Sequence, residues 1–427
     1  MKNTSYRTVL DVVDDESNIS IEKGTLHYSN GILKMHTDNE IVAVSGGSEF
    51  KYISDLSDFP TAINGVITLE DDKTYYITTT IDLLGSRLVC GQNTVILGSS
   101  SENSILTSTG LDPLEYLIYS DYTLPIRHIT IKDVTFGVGI NISGAGVQPI
   151  ALDWTGVNFS GCYFNLVCGN IGNFIFSKGA VLGGGKISFL GSVDTIGIDN
   201  SLFAGSGGAE SLIELSASCV VNRRFRIIYS SFVAFGSTTA IKVNTSATIP
   251  NEAYILDTIN FSGGGTYLSG VTVTDNKTLF VNCKGIENTA EISQYYMNGN
   301  ATATTISVIS TPVKIAGTTT SASVTQKFIN TDNKATYVGS FVRYFKVTAT
   351  LSATSGNNNQ VGVYIAKNGT IINESEVYGT TSGTGRAENI VVQTLVQLST
   401  NDYIEIFVEN ATATNNITIT DLNVIIQ

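Results

Sequence analysis

The sequence predicts an all-β protein: a right-handed parallel β-helix followed by an antiparallel jelly-roll sandwich, with a small β-hairpin as an N-terminal anchor. Three observations predict it. Between Ile129 and Cys283 a short β-branched run ending in an aromatic residue returns repeatedly, each time after a turn rich in Gly, Asn and Ser. From about residue 290 the recurrence gives way to apolar residues alternating at period two. The composition also suits a long β structure. It is 42% apolar with 41 glycines, and only 14% of residues are charged, against roughly 25% in an average soluble protein.

Residues 1–48 are acidic and too few to hold a core of their own. Asp11, Asp14, Asp15 and Glu16 form a charge run of the kind found on a solvated or docking arm. Gly24 to His36 reads as a hairpin around Asn30-Gly31, a strong short-range turn signal. A hairpin this small is marginal alone, so it is expected to pack on a larger assembly. His27 and His36 fall on its two strands and His128 is distant. A threefold assembly could bring copies of one histidine together. No His-x-His or His-x-x-x-His spacing occurs, so no metal is expected.

Phe50 to Pro60 reads as a short helix or turn, and residues 50–66 as a cap over the exposed end of the solenoid. Ile67–Ile77, Ile81–Gly85, Arg87–Cys90 and Thr94–Leu97 are the expected first coils. The main recurrence follows. Its best markers are Phe136, Phe159, Phe203, Phe232 and Phe261, with gaps of 23, 44, 29 and 29 residues, and 44 is twice 22. A unit of this length signals a solenoid, in which each coil buries its apolar face only by stacking on the next. Strand-rich units without helical periodicity make it a β-helix. A sandwich with coincidental Phe spacing is the competing reading.

The recurrence stops near Gly285, and Tyr295–Thr304 reads as a linker or crossover. Beyond it Phe345, Val347, Ala349 and Leu351 point one way, as do Val361, Val363 and Ile365. Asn368-Gly369 turns the chain. Ile390 and Val392, then Ile404, Ile406 and Val408, then Ile417, Ile419, Leu422, Val424 and Ile426 complete the set. Eight to ten antiparallel strands with one buried face fit a jelly roll. The expected domains are therefore 1–48, 49–290 and 291–427.

The net charge of −13 is uneven: residues 1–120 hold 17 acidic and 7 basic side chains. That excludes a nucleic-acid surface, which needs clustered Lys and Arg, and disfavours an anionic membrane. No run approaches the length of a transmembrane helix. Cys90, Cys162, Cys168, Cys219 and Cys283 are odd in number and irregular in spacing. Free buried thiols in a chain made in a reducing cytosol are expected, since Met1-Lys-Asn-Thr-Ser lacks a signal-peptide core.

Catalysis would need paired carboxylates for glycoside hydrolysis, or a base with cationic groups for a lyase. Asp133, Asp153, Asp199 and Asp257 sit in or beside the recurring strands. They could stack as an acidic stripe, or act as turn acceptors at one point of the repeat. Arg223-Arg224-x-Arg226 is the basic cluster, and strict alternation would let at most two of its members share a cleft. Trp154 could stack on a sugar or lie in the core. Gly183-Gly-Gly185, Gly263-Gly-Gly265 and Gly205-Ser-Gly-Gly208 read as turns or loops rather than phosphate cradles or a nucleophile elbow. No catalytic, cofactor-binding or metal residue is assigned, and the ligand-binding residues are left unknown.

The segment Thr68 to Gly98, with Leu-Glu-Asp-Asp-Lys-Thr-Tyr-Tyr-Ile and Leu-Leu-Gly-Ser-Arg-Leu-Val-Cys-Gly, resembles the opening of pectate-lyase-like β-helices in the fibre and spike proteins of phages, including crAss-like phages of Bacteroidetes. Phe345–Leu351, Gly362–Thr370 and Asp402–Val408 are similar to the C1q/TNF-like jelly rolls that trimerise at fibre tips. The hairpin resembles virion-docking segments. The resemblance implies a homotrimeric fibre on a phage head or tail; the residues, without an assignable catalytic set, add the expectation that it is non-enzymatic and made in the bacterial cytoplasm. It would be docked to other virion proteins through residues 1–48, with a host surface glycan as ligand and no cofactor. A polysaccharide depolymerase is the alternative from another class, and a secreted adhesin a third.

Overall fold

The computed structural model describes residues 11–12, 26–29, 32–36, 41–43, 49–142, 151–208, 210–382 and 388–427. The chain divides into two compact units, residues 1–271 with 281–286, and residues 272–280 with 287–427. Among the described residues helix is confined to the 3-10 turns Leu56–Asp58 and Asn373–Ser375. No helix is long and apolar enough to cross a membrane.

In the first unit Leu26–Ser29 pairs antiparallel with Ile32–His36, as the hairpin reading requires. The Asn30-Gly31 turn itself lies outside the described residues. Ile41–Ala43 adds to one side of this pair and Asp11–Val12 to the other, the latter in parallel.

The rest of the first unit is a parallel β-solenoid. Its first face opens with Glu49–Ile53, its second with Val66–Leu69 and its third with Thr80–Asp82. Among the described residues nine strands stack in the second face and eight in the third. Each coil runs first face, third face, second face. Pairing across coils puts like residues in columns. The inner column of the first face is Tyr75, Ile96, Ile126, Trp154, Phe176, Ile198, Ile227 and Leu256. That of the third face is Ile131, Phe159, Val181, Phe203, Phe232 and Phe261. Both columns are almost wholly buried. Each large side chain in them contributes about 1.5–3 kcal/mol through burial.

The third-face column explains the Phe spacing and corrects one marker. Val181 occupies the site 22 residues after Phe159, where the 44-residue gap predicts a missing member. Phe136 is not a member: Ile131 fills its place, and Phe136 begins the second-face strand Phe136–Ile142, with its ring turned outward. Phe50–Ile53 is likewise not helical but part of the first strand of the first face, paired with Lys73–Ile77. The 3-10 turn after it brings Phe59 over Tyr75, ring centroids 6.0 Å apart and nearly parallel, where it covers the end of the core.

The second unit is a sandwich of two antiparallel sheets about one core. Its eight principal strands, in chain order, are Ser293–Met297, Lys334–Tyr337, Arg343–Thr354, Gln360–Lys367, Val377–Thr380, Glu388–Leu398, Tyr403–Asn410 and Ile417–Ile426. One sheet runs first, eighth, third, sixth; the other runs second, seventh, fourth, fifth. That order is a jelly roll. Every apolar residue expected to point inward here is buried. The break in alternation between Ile419 and Leu422 is a bulge: Ser352 faces Asp421 while Ala353 faces Ile419. The expected linker is corrected, because Tyr295–Met297 belongs to the first strand and Tyr295 is fully buried.

Candidate functional site

One corner of the solenoid has constant construction. From Arg127 onward the first face joins the third through two residues, in six successive coils. The first of the two always has positive φ: His128, Gly156, Lys178, Asn200, Tyr229 and Thr258, at 46–67°. Its N–H donates to the carbonyl just before the corner of the next coil, as Lys178 does to Asp199 (3.0 Å), Asn200 to Ile228 (3.1 Å) and Tyr229 to Asp257 (3.1 Å). The second residue, in turn Ile129, Val157, Gly179, Ser201, Ser230 and Ile259, turns inward and is buried. The Ser201 hydroxyl donates to the Asp199 carbonyl (2.8 Å), and the Ser230 hydroxyl accepts from the Ser201 N–H (3.1 Å). A left-handed backbone costs a side-chain-bearing residue free energy; here the coil-to-coil bonds hold it.

The left-handed residues therefore project outward, one coil apart, about 4.8 Å between neighbours. Lys178, Asn200 and Tyr229 are all exposed, Tyr229 by 62%. With Asn158, Leu202 and Ser231 they line an open groove of about 480 Å³. An ammonium, two amides, a hydroxyl and an aromatic ring can donate to and accept from sugar hydroxyls and stack on a sugar face. His128 belongs to the same corner series, and its imidazole fits against Gly156, where a Cβ would come within 2.7 Å of Nδ1.

The four aspartates do not form a stripe. Asp133 lies beyond the third-face strand Thr130–Lys132. Asp153 is in a different column from Asp199 and is held by Arg127 (2.6 Å) and the Thr155 hydroxyl (2.5 Å). Asp199 and Asp257 do share a column, with Ile228 between them. Asp257 accepts from the Thr258 hydroxyl (2.9 Å). Where a carboxyl is perturbed it is lowered, which suits acceptors rather than a general acid. Burial raises Glu214, but Lys186 and Lys242 outweigh it. Burial also raises Glu210, outweighed by the Ser206 N–H and the Thr238 hydroxyl.

Trp154 is fully buried, its ring edge-on to Phe174 and its Nε1 donating to the Leu124 carbonyl (3.2 Å). It is core, not a sugar platform. The three arginines depart from strict alternation: Arg223, Arg224 and Arg226 are all exposed. His27 and His36 lie opposite Lys34 and Ile41 in the N-terminal sheet. Among the described residues no three His, Cys, Asp or Glu side chains gather as metal ligands would. All five cysteines are free, four of them buried. Gly183 and Gly184 turn with positive φ, as expected.

Two features escaped the sequence reading. On the outside of the second face Phe136 meets Tyr116 at a tilt (5.1 Å) and Phe164 edge-on (5.4 Å), and the Lys186 ammonium lies 4.9 Å from the Phe164 ring. Burial lifts the Tyr116 phenol to about 12. In the sandwich, Tyr364 donates to Glu376 (2.5 Å) and Tyr378 to Glu409 (2.6 Å), the two phenols 3.3 Å apart. Hydrogen bonding to Glu409 pushes Tyr378 up to about 12, and hydrogen bonds from Tyr364 and Tyr378 hold Glu376 low. This is a locked acceptor–donor cluster, without a proton to give near neutrality.

No family model and no curated protein matches the chain. Among solved structures it is similar to the enzymatically active domain of tailspike protein 4 of bacteriophage CBA120, at 10% identity and a TM-score of 0.24, covering 92% of this chain and 70% of that one. It is also similar to the Eiger TNF of S. frugiperda, at 9% identity and a TM-score of 0.22, covering 32% of this chain and 93% of that one.

Proposed function

We propose that the chain is a non-enzymatic structural subunit of a phage fibre or spike. It works as a homotrimer and offers the solenoid corner to glycans on the host surface. Residues 1–48 dock it to other virion proteins. The observation that carries this reading is the sixth strand of the sandwich. Glu388–Leu398 is 11 residues long, lies at a sheet edge and pairs with Arg343–Thr354 without a break in register. After Glu388 it holds no charge and no proline. Leu395 is 72% exposed and Val391 54%, beside Tyr344 at 74%. Such an edge is a template for association unless something covers it. Sister copies supply that cover, and three copies give three weak glycan sites avidity.

Light scattering of the purified chain at micromolar concentration tests the assembly. The expected mass is three times 45.5 kDa, falling when Leu395→Lys places a charge on the edge. A stable 45.5 kDa monomer overturns it. The depolymerase reading has one observation in its favour, the shared column of Asp199 and Asp257. It requires new reducing ends when the protein meets host capsule, abolished by Asp199→Asn.

A further inference from the structure

The strand Val220–Ile228 presents Arg223, Arg224 and Arg226 together on the outside of the first face. A bulge is the cause. Val193 pairs with Val221 but Thr195 with Arg224, so Asn222 and Arg223 both stand against Asp194. The extra residue keeps positions 222 to 224 outward before Phe225 returns to the core. Asp194 accepts from the Asn222 side-chain amide at 2.8 Å. The neighbours of Arg226 on the adjoining coils are Gly197 and Ile255, and Arg224 faces Thr195. Elsewhere the described arginines are neutralised: Arg87 by Glu115, Arg127 by Asp153 and Arg343 by Glu291. Among the described residues no carboxylate lies within ion-pair distance of the three on this strand. They are gathered on one strand of a chain with net charge −13.

The same strand runs into the corner groove, with Tyr229 following Ile228 directly. Arg224 and Arg226 are two residues apart, about 7 Å along the strand. We infer that this face binds an acidic polysaccharide: uronate carboxylates meet the guanidinium groups of Arg224 and Arg226, and the adjoining sugars occupy the groove at Tyr229 and Lys178. The inference rests on the glycan reading and adds the chemical class of the glycan. Charge complementarity selects the ligand. A guanidinium fits a carboxylate in two parallel hydrogen bonds, and a neutral glycan would leave three cations without a counterpart.

The test is binding of the full-length protein to immobilised polygalacturonate, alginate and hyaluronate, each beside the same polymer with its carboxyls reduced to alcohols. Heparin serves as the sulfated arm. The expected result is retention on at least one uronate polymer, weakened by added salt and by about tenfold or more in Arg224→Gln/Arg226→Gln. The reduced polymer should bind more weakly, and the double variant should treat it as the parent does. Tyr229→Ala should weaken both forms alike. Equal binding to acidic and reduced polymers, or an unaffected double variant, overturns the acidic class and leaves the groove reading in place. Retention on heparin alone transfers the site to sulfate and also overturns the uronate assignment. Failure of every polymer, acidic and reduced, overturns both. A double variant that binds polymer normally but changes mass in light scattering assigns the arginines to an acidic segment of a second copy instead.

Discussion

Phe203 and Phe232 lie ring against ring on successive coils, their centroids 4.8 Å apart and their planes within 7° of parallel. The spacing is that of neighbouring strands in a sheet, so the stack repeats the backbone in side chains. Phe261 continues it at 5.3 Å.

Phe232 is therefore enclosed on two sides by rings and fully buried. Phe232→Ala should destabilise the solenoid by about 3–5 kcal/mol, and Phe232→Leu by less. An unfolding free energy from denaturant titration that falls by under a quarter of that amount would contradict the stacked column.

Asn368 and Gly369 join two strands of the sandwich with φ of 52° and 77°. A Cβ on Gly369 would meet nothing closer than the Tyr403 hydroxyl at 3.8 Å. Space is available, so only the backbone objects. Gly369→Ala should cost about 1 kcal/mol, with Gly369→Asn costing less. Thermal melts of the two variants check the order.

Asp402 ties this hairpin to the next strand. Burial alone would raise its carboxyl. Lys367 (2.8 Å), the Asn368 side chain (2.6 Å) and the Ser399 N–H (2.8 Å) instead hold it at about 2. A carboxyl lower in the folded than in the unfolded state stabilises above its unfolded pKa, near 3.9. That contribution is lost as pH falls through about 2. Asp402→Asn should cost about 1 kcal/mol at neutral pH, discounted for solvent around Lys367. It should also flatten the pH dependence between about 5 and 2. A parallel acid-unfolding curve for the variant would refute the assignment.

Burial pushes the thiols of Cys162 and Cys219 up to about 12, and raises Cys90, Cys168 and Cys283 as well. Cys168 alone is not fully enclosed. A disulfide reagent at pH 8 should modify Cys168 slowly in the native protein and all five thiols after unfolding. Rapid native labelling of two or more thiols would contradict the burial.

Much of this architecture was legible in the residues. Phe159, Phe203, Phe232 and Phe261 marked the coils because an inward column admits only apolar side chains. Val347, Val363 and Ile406 marked the sandwich by alternation. What escaped was register between distant segments. Phe136 stands at coil spacing before Phe159, yet it begins a strand of a different face. The exposure of all three arginines depends on one surplus residue opposite Asp194, which alternation within a single strand does not reveal. The corner was hidden for another reason. Lys178, Tyr229 and Thr258 are not residues that favour positive φ, so composition gives no sign of the turn that coil-to-coil hydrogen bonds impose. The groove, made from those residues, was hidden with it.

The two-residue corner has a consequence for how such a chain can change over generations. Its residues recur after 28, 22, 22, 29 and 29 positions, so the differences in coil length are taken up elsewhere, at the other two bends and at bulges such as that of Asn222 and Arg223. The bend from the second face back to the first, for example, holds one residue after Gly169 and ten, 244–253, after Val243. One residue inserted between Ile228 and Ser231 would instead invert the inside and outside of the strand that follows. The solenoid thus keeps fixed graduations along one edge and takes up its variation in length along the others.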